Sequence, residues 1–179
     1  MHRTFEDQRT GDDMDLTGLT KKLAIAPGAV VPRNLKHGRV QAHAISRDDL
    51  EADVAGINAS LDLIRRTRGG SWPTGPVTLE GNYVDLVWHE AEFRDDKSYT
   101  YVLTNPDHGY IGCLYLYPLG VRRPLTEETL HHDVDVSWWV TPPAYEAGLY
   151  AATFEALRGW IGDEIPFTAP FYSNREIPC

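Results

Sequence analysis

The run "SYTYVLTNPDHGYIGCLYLYPL" (98–119) limits the fold more than any other stretch of the chain. Two strand-like segments rich in aromatic and β-branched residues flank Asn105-Pro106-Asp107-His108-Gly109, whose residue types favour a tight reversal, so a β-hairpin is predicted. The second segment is apolar on both faces, which is expected of an interior strand covered from both sides. Further on, "DVDVSWWV" (133–140) alternates, with Asp133, Asp135, Ser137 and Trp139 on one face and Val134, Val136, Trp138 and Val140 on the other. That pattern predicts a strand with one face in the core and the other toward something wet.

The first half has a different period. "RVQAHAIS" (39–46) reads as a strand with Val40, Ala42, Ala44 and Ile45 inward. Ser46, with Asp49 three residues on, is a helix N-cap ahead of Leu50, Val54, Ile57, Leu61 and Ile64. The last turn of that helix carries Arg65, Arg66 and Arg68, which predicts a solvated end complementing the helix dipole rather than an anion site. "GGSWPTGP" (69–76) is a loop holding Trp72, and 79–96 is a second helix. A third helix is expected from about Ala144, with Tyr150, Phe154, Leu157 and Ile161 on one stripe, followed by a short strand within 166–173. Residues 23–38, apolar but broken by Pro27, Gly28 and Pro32, form an extended arm. Residues 1–22, polar and acidic, form a tail that is flexible unless a partner orders it.

The chain has 179 residues, 42% of them hydrophobic and 24% charged, enough for one domain with a real core, placed at 39–179. A net charge of −9 repels phosphate backbones, and the short clusters Arg65-Arg66-Arg68 and Arg122-Arg123 make no basic stripe, so nucleic acid is not an expected partner. Cys113 and Cys179 cannot form a disulfide framework or a metal knuckle, and a reducing, cytoplasmic setting is expected. Nothing resembles a signal peptide or a membrane span.

The order strand, two helices, hairpin, strand, helix, short strand resembles the GNAT superfamily of acetyl-CoA-dependent N-acetyltransferases, an α/β fold with a mixed, mostly antiparallel sheet and flanking helices. The resemblance spans roughly 39–174. It rests on "IGCLYLYPL" (111–119), similar to the family's third strand, on "DVSWWV" (135–140), similar to its fourth, and on the turn from Val140 to Gly148 that follows. In that family acetyl-CoA enters where the fourth and fifth strands diverge, and its diphosphate rests on N–H groups at the next helix start, which suits an anion. Carried over, the cofactor site implied here comprises Trp139, Val140, Tyr145, Glu146, Ala147, Gly148, Leu149 and Tyr150. The family's phosphate pattern falls on Tyr145, Gly148 and Tyr150, and only Gly148 matches it. Tyrosine hydroxyls, or a shift that brings Ala147 and Ala151 to the ligand, would have to compensate; a plain strand-to-helix corner is the alternative.

The resemblance also implies the chemistry. Amine attack on a thioester needs a base and donors for the developing oxyanion. Asp135 matches the family's acidic residue and is the expected catalytic base, and the N–H near Val140 would serve the thioester oxygen. Trp72, Ser137 and Trp139 are the expected substrate contacts, with acetyl-CoA as co-substrate, an amine as acceptor and no metal. The family's following helix, with a tyrosine that protonates the thiolate, is not found before Cys179, so either Tyr172 or water replaces it, the N-terminal arm fills the gap, or the chain does not catalyse. An exposed sheet edge there would favour a homodimer. Two alternatives stay open. One is a GNAT-like domain that binds without catalysing. The other is a metal-dependent hydrolase built on His131, Asp133 and Asp135, with His89, Glu90 or Glu92 added.

Overall fold

A computed structural model of the protein describes residues 15–179. The expected tail therefore lies outside the described residues as far as 14. Residues 15–22 are not loose: Leu16 is buried against Leu119 and Leu125, Lys21 pairs with Leu119, and its ammonium donates to the carbonyls of Leu130 and His132.

The end of the arm is a strand, β1 (Asn34–His37), which reverses into β2 (Val40–Ala44). After α1 (Leu50–Ala59), α2 (Leu61–Thr67) and α3 (Leu79–Arg94) come the predicted hairpin, β3 (Tyr99–Asn105) and β4 (Gly109–Tyr117), and then β5 (Val134–Val140). The chain ends through α4 (Pro142–Glu146), α5 (Leu149–Asp163) and β6 (Pro170–Tyr172). The sheet runs in chain order from β1 to β6. Every neighbouring pair is antiparallel except β5 and β6, which are parallel. Among the described residues, no helix is long and apolar enough to cross a membrane.

Where one helix was expected after Ser46 there are two, preceded by a 3-10 turn. Ser46 and Asp49 form the predicted capping box around that turn. The break falls at Ser60, which leaves helical geometry. Two residues earlier, the Asn58 amide bonds both backbone groups of Val77, tying this stretch to the loop before α3.

The two sheet faces carry separate cores. Trp138, Tyr101, Leu103 and Leu114 pack under α5 through Tyr150, Leu157 and Trp160. Val102, Cys113, Tyr115 and Trp139 pack under α1 to α3 through Ile57, Ile64 and Leu86. Between β4 and β5 the backbone comes close at Gly112, where a bulge slips the β3–β4 register. A Cβ at Gly112 would lie 2.0 Å from the Trp139 carbonyl oxygen, and its φ of +146° favours glycine as well.

The alternation in β5 is as predicted, but its expected wet face is dry. Asp135 is 2% exposed, Ser137 and Trp139 are fully buried, and α2 packs over the strand. A strand covered on both sides can carry polar residues only if each finds a partner.

Candidate functional site

Two features lie around β5: the gap where β6 leaves it, and a cavity on the α1–α3 face. The β5–β6 pairing covers Val134–Val136 against Pro170–Tyr172 and closes with Ser173 N–H donating to the Val136 carbonyl. Beyond that point the strands part, and Asn174 bridges them. Its side-chain oxygen accepts from Trp138 N–H at 3.1 Å, and its amide donates to the Trp138 carbonyl at 2.9 Å and to the Tyr150 hydroxyl at 2.6 Å.

The chain then crosses the mouth of the gap. Glu176 N–H donates to the Thr67 carbonyl, and its own carbonyl accepts from the Tyr150 hydroxyl at 2.6 Å. Its carboxylate accepts from the Tyr145 hydroxyl and lies 3.6 Å from Arg66, whose guanidinium stacks 4.9 Å above the Tyr145 ring. The hydrogen bond to Glu176 raises Tyr145 above the ordinary tyrosine pKa, and burial pushes Tyr150 up to about 12.

The corner itself has few free donors at its first turn. Pro142 and Pro143 open α4 and carry no N–H, and Thr141 N–H bonds the Ile111 carbonyl. Gly148, at φ +75°, turns the chain from α4 into α5 and is exposed, as is Glu146; Ala147 is half-buried. Leu149 and Tyr150 are buried in the first turn of α5, and Val140 is buried beside Gly112. Trp139, expected at the cofactor, is enclosed, its indole N–H donating to the Tyr115 hydroxyl at 3.0 Å.

The structure changes the setting of the expected base. Asp135 accepts from the Ser173 hydroxyl and sits 3.8 Å from Arg122, which also bonds Ser173. Burial is the main influence on its carboxyl and raises it above the ordinary value. Arg122 is held at about 10 by burial first and then by Arg68. Asp135 therefore serves as the internal counter-ion of an arginine cluster and does not line the cavity.

That cavity, about 350 Å³, lies over β3 and β4. Its floor is Thr100, Tyr115 and Tyr117; α1 contributes Asp53 and Ile57, and α3 contributes Asn82, Asp85, Leu86 and His89. The loop after α2 closes it with Gly69, Gly70, Ser71 and Trp72. Ser137 and Trp139 lie one layer beneath and hold lining residues. Ser137 accepts from Arg68 Nε at 3.1 Å, and Trp139 holds Tyr115.

Arg68 is the residue the sequence placed wrongly. Arg65 and Arg66 are partly exposed as predicted, but Arg68 is 6% exposed, with its guanidinium 4.1 Å from the centre of the Tyr115 ring and 5.5 Å from that of Trp72. Asp53, also in the lining, is buried and accepts from Asn82, Tyr110 and Cys113. His89 Nδ1 faces Thr100 at 3.2 Å and Glu92 at 3.6 Å. Burial pushes the Tyr115 hydroxyl and the Cys113 thiol far up.

Two further expectations are corrected. His131 lies in a 3-10 turn, not on β5, and Asp133 accepts from Thr168 and Ala169 N–H, so the grouping with Asp135 does not form. Among the described residues no cluster of three metal-ligating side chains exists. Tyr172 packs on Trp138 and Phe154, across the sheet from the cavity, and cannot act there as an acid.

No family model matches this sequence, and no curated protein matches it. Solved structures do share its fold. RimL, a ribosomal alpha-N-protein acetyltransferase in complex with coenzyme A, superposes with a TM-score of 0.53 at 11% identity, over 73% of this chain and 66% of that one. A ribosomal-protein-S5-alanine acetyltransferase from Vibrio fischeri gives 0.52 at 12% identity, over 71% and 66%. An acetyl transferase from Salmonella typhimurium that modifies an N-terminal serine of a 50S ribosomal subunit protein gives 0.51 at 9% identity, over 73% and 66%. The chain thus spans just under two thirds of each of these proteins. At these identities the likeness is one of fold, and the fold is that of the GNAT acetyltransferases.

Proposed function

We propose that the chain is an acyl-CoA-dependent N-acyltransferase, using acetyl-CoA, whose acceptor is a small amine. One observation carries the reading: the mouth of the β5–β6 gap already holds an anion, the Glu176 carboxylate, between the Tyr145 hydroxyl and the Arg66 guanidinium. An arginine from α2 thus supplies the cation that the phosphate pattern lacks at Tyr145. In this reading the diphosphate displaces Glu176, and the N–H groups that open α5 after Gly148 add their dipole. The pantetheine arm displaces the Asn174 side chain from Trp138.

The acceptor occupies the cavity. Its ammonium must lose a proton before attack, and we assign that proton to His89, whose Nδ1 is held by Thr100 and Glu92. The thiolate must gain one, and we assign that donation to the Tyr115 hydroxyl, which accepts from Trp139 and stands on the floor of the cavity. Asp135 orders Arg122 and Ser173, in place of the base role expected of it.

A second reading, binding without transfer, is favoured by the closure of the gap by Asn174 and Glu176. Calorimetric titration with acetyl-CoA, paired with a thiol-release assay over small amines, separates the two. Binding with amine-dependent thiol release supports transfer, and the His89→Gln variant should then lose turnover with unchanged acetyl-CoA affinity. No binding at millimolar acetyl-CoA rejects transfer.

A further inference from the structure

Arg68 is buried without a counter-ion. Its Nε bonds Ser137, its plane is held between Tyr115 and Trp72, and no carboxylate lies within ion-pair distance of it among the described residues. The nearby Asp135 is occupied by Arg122 and Ser173, while Arg123 donates to the Ser173 carbonyl. Three arginines therefore surround one carboxylate, and the most deeply enclosed of them, Arg68, lines the cavity. An unpaired buried cation is costly, and a guanidinium fixed in plane presents its remaining N–H groups as a ready fork for a carboxylate.

The lining from α1 and α3 has the opposite sign. Asp53 is buried with no cation within ion-pair distance among the described residues, and Asp85 stands exposed at the rim of α3. Ile57 and Leu86 give the lining an apolar part as well. The volume is at the small end of the range for ligand pockets.

We infer that the cavity recognises a small amino carboxylate, a molecule bearing one carboxylate and one amine, with the carboxylate on Arg68 and the ammonium toward Asp53 and Asp85. This deepens the acyl-transfer reading by naming its acceptor class, and as a recognition site it stands on Arg68 whether or not transfer follows. A polyamine or a simple alkylamine, which has no anionic end, would leave Arg68 buried and unpaired.

The test is calorimetric titration of the full chain, without acetyl-CoA, with glycine, 4-aminobutanoate, 6-aminohexanoate and L-leucine, against butylamine, hexylamine and hexanoate. At least one amino carboxylate should bind about 100-fold more tightly than its matched amine, since the comparison removes a charge-assisted pair from a buried site. Arg68→Gln should abolish that preference. Asp85→Asn, at an exposed position that tolerates substitution, should weaken the amino carboxylate and leave hexanoate unchanged. The inference is overturned if no amino carboxylate binds at millimolar concentration, if the matched amines bind equally well, or if Asp85→Asn weakens hexanoate and the amino carboxylate alike. An amino carboxylate that binds but draws no thiol release from acetyl-CoA rejects transfer and keeps the site. Acetylation of butylamine or hexylamine, with the amino carboxylates inert, keeps transfer and rejects the site.

Discussion

Asn174→Ala isolates the bridge across the β5–β6 gap. The side chain is 6% exposed and makes three hydrogen bonds, two of them to the backbone of Trp138, which is fully buried. Alanine removes all three and leaves the Trp138 N–H and carbonyl unpaired in the interior. At about 1 kcal/mol net per bond, with a further share of the 1–3 kcal/mol that each unpaired buried group costs, the loss should be about 3–4 kcal/mol. That is a large fraction of the 5–15 kcal/mol typical of a folded domain. Urea unfolding followed by tryptophan fluorescence measures it, and the midpoint should fall with the slope unchanged. The pantetheine arm of acetyl-CoA carries amides that can pair with Trp138 in place of the lost side chain. Saturating acetyl-CoA should therefore raise the melting temperature of the variant more than that of the wild type. A loss below about 1 kcal/mol would refute the claim that Asn174 alone satisfies Trp138. An equal ligand response in the two proteins would refute the claim that Asn174 holds the ligand's place.

Glu176→Ala removes the anion at the mouth of the gap and should tighten acetyl-CoA binding in calorimetry; weaker binding would mean that Glu176 helps to build the site instead of occupying it. Gly56→Ala places a Cβ 2.4 Å from Tyr110 Cε1, so the ring must shift from its bond to Asp53, and denaturant unfolding should show a cost of about 1–3 kcal/mol. His43 is raised above the ordinary histidine value chiefly by its hydrogen bond to Asp49. A raised folded pKa stabilises most below the unfolded value of about 6.5 and less as pH rises through the folded one, so the melting-temperature gap between wild type and His43→Gln should shrink from pH 6 to about 9. Cys113 is enclosed and held far above the ordinary thiol value by burial, whereas Cys179 is exposed. An aromatic disulfide reagent should titrate a single thiol in the folded protein and a second only in denaturant.

The fold was legible because its signals are local. The hairpin residues Asn105 to Gly109, the period of β5 and the Ser46–Asp49 capping box act within a few residues, and each forms as predicted. The site was much less legible because its signals are not local. Arg65, Arg66 and Arg68 look alike in sequence, and nothing within α2 separates them. Burial of Arg68 depends on Ser137, 69 residues away, and on Tyr115 beneath it. The polar face of β5 misled for the same reason. Asp and Ser at alternate positions are what an exposed strand carries, and also what a buried strand carries when distant partners satisfy them. Asp135 has such partners in Arg122 and Ser173, and Ser137 has one in Arg68. What distinguishes the two cases is the balance of charge. A wet strand needs no counter-ions, whereas here one carboxylate faces three arginines brought in from the α2 end and the loop after β4. The unmatched charge falls on Arg68, at the surface of the cavity, where a ligand's carboxylate would complete the balance that the chain leaves open.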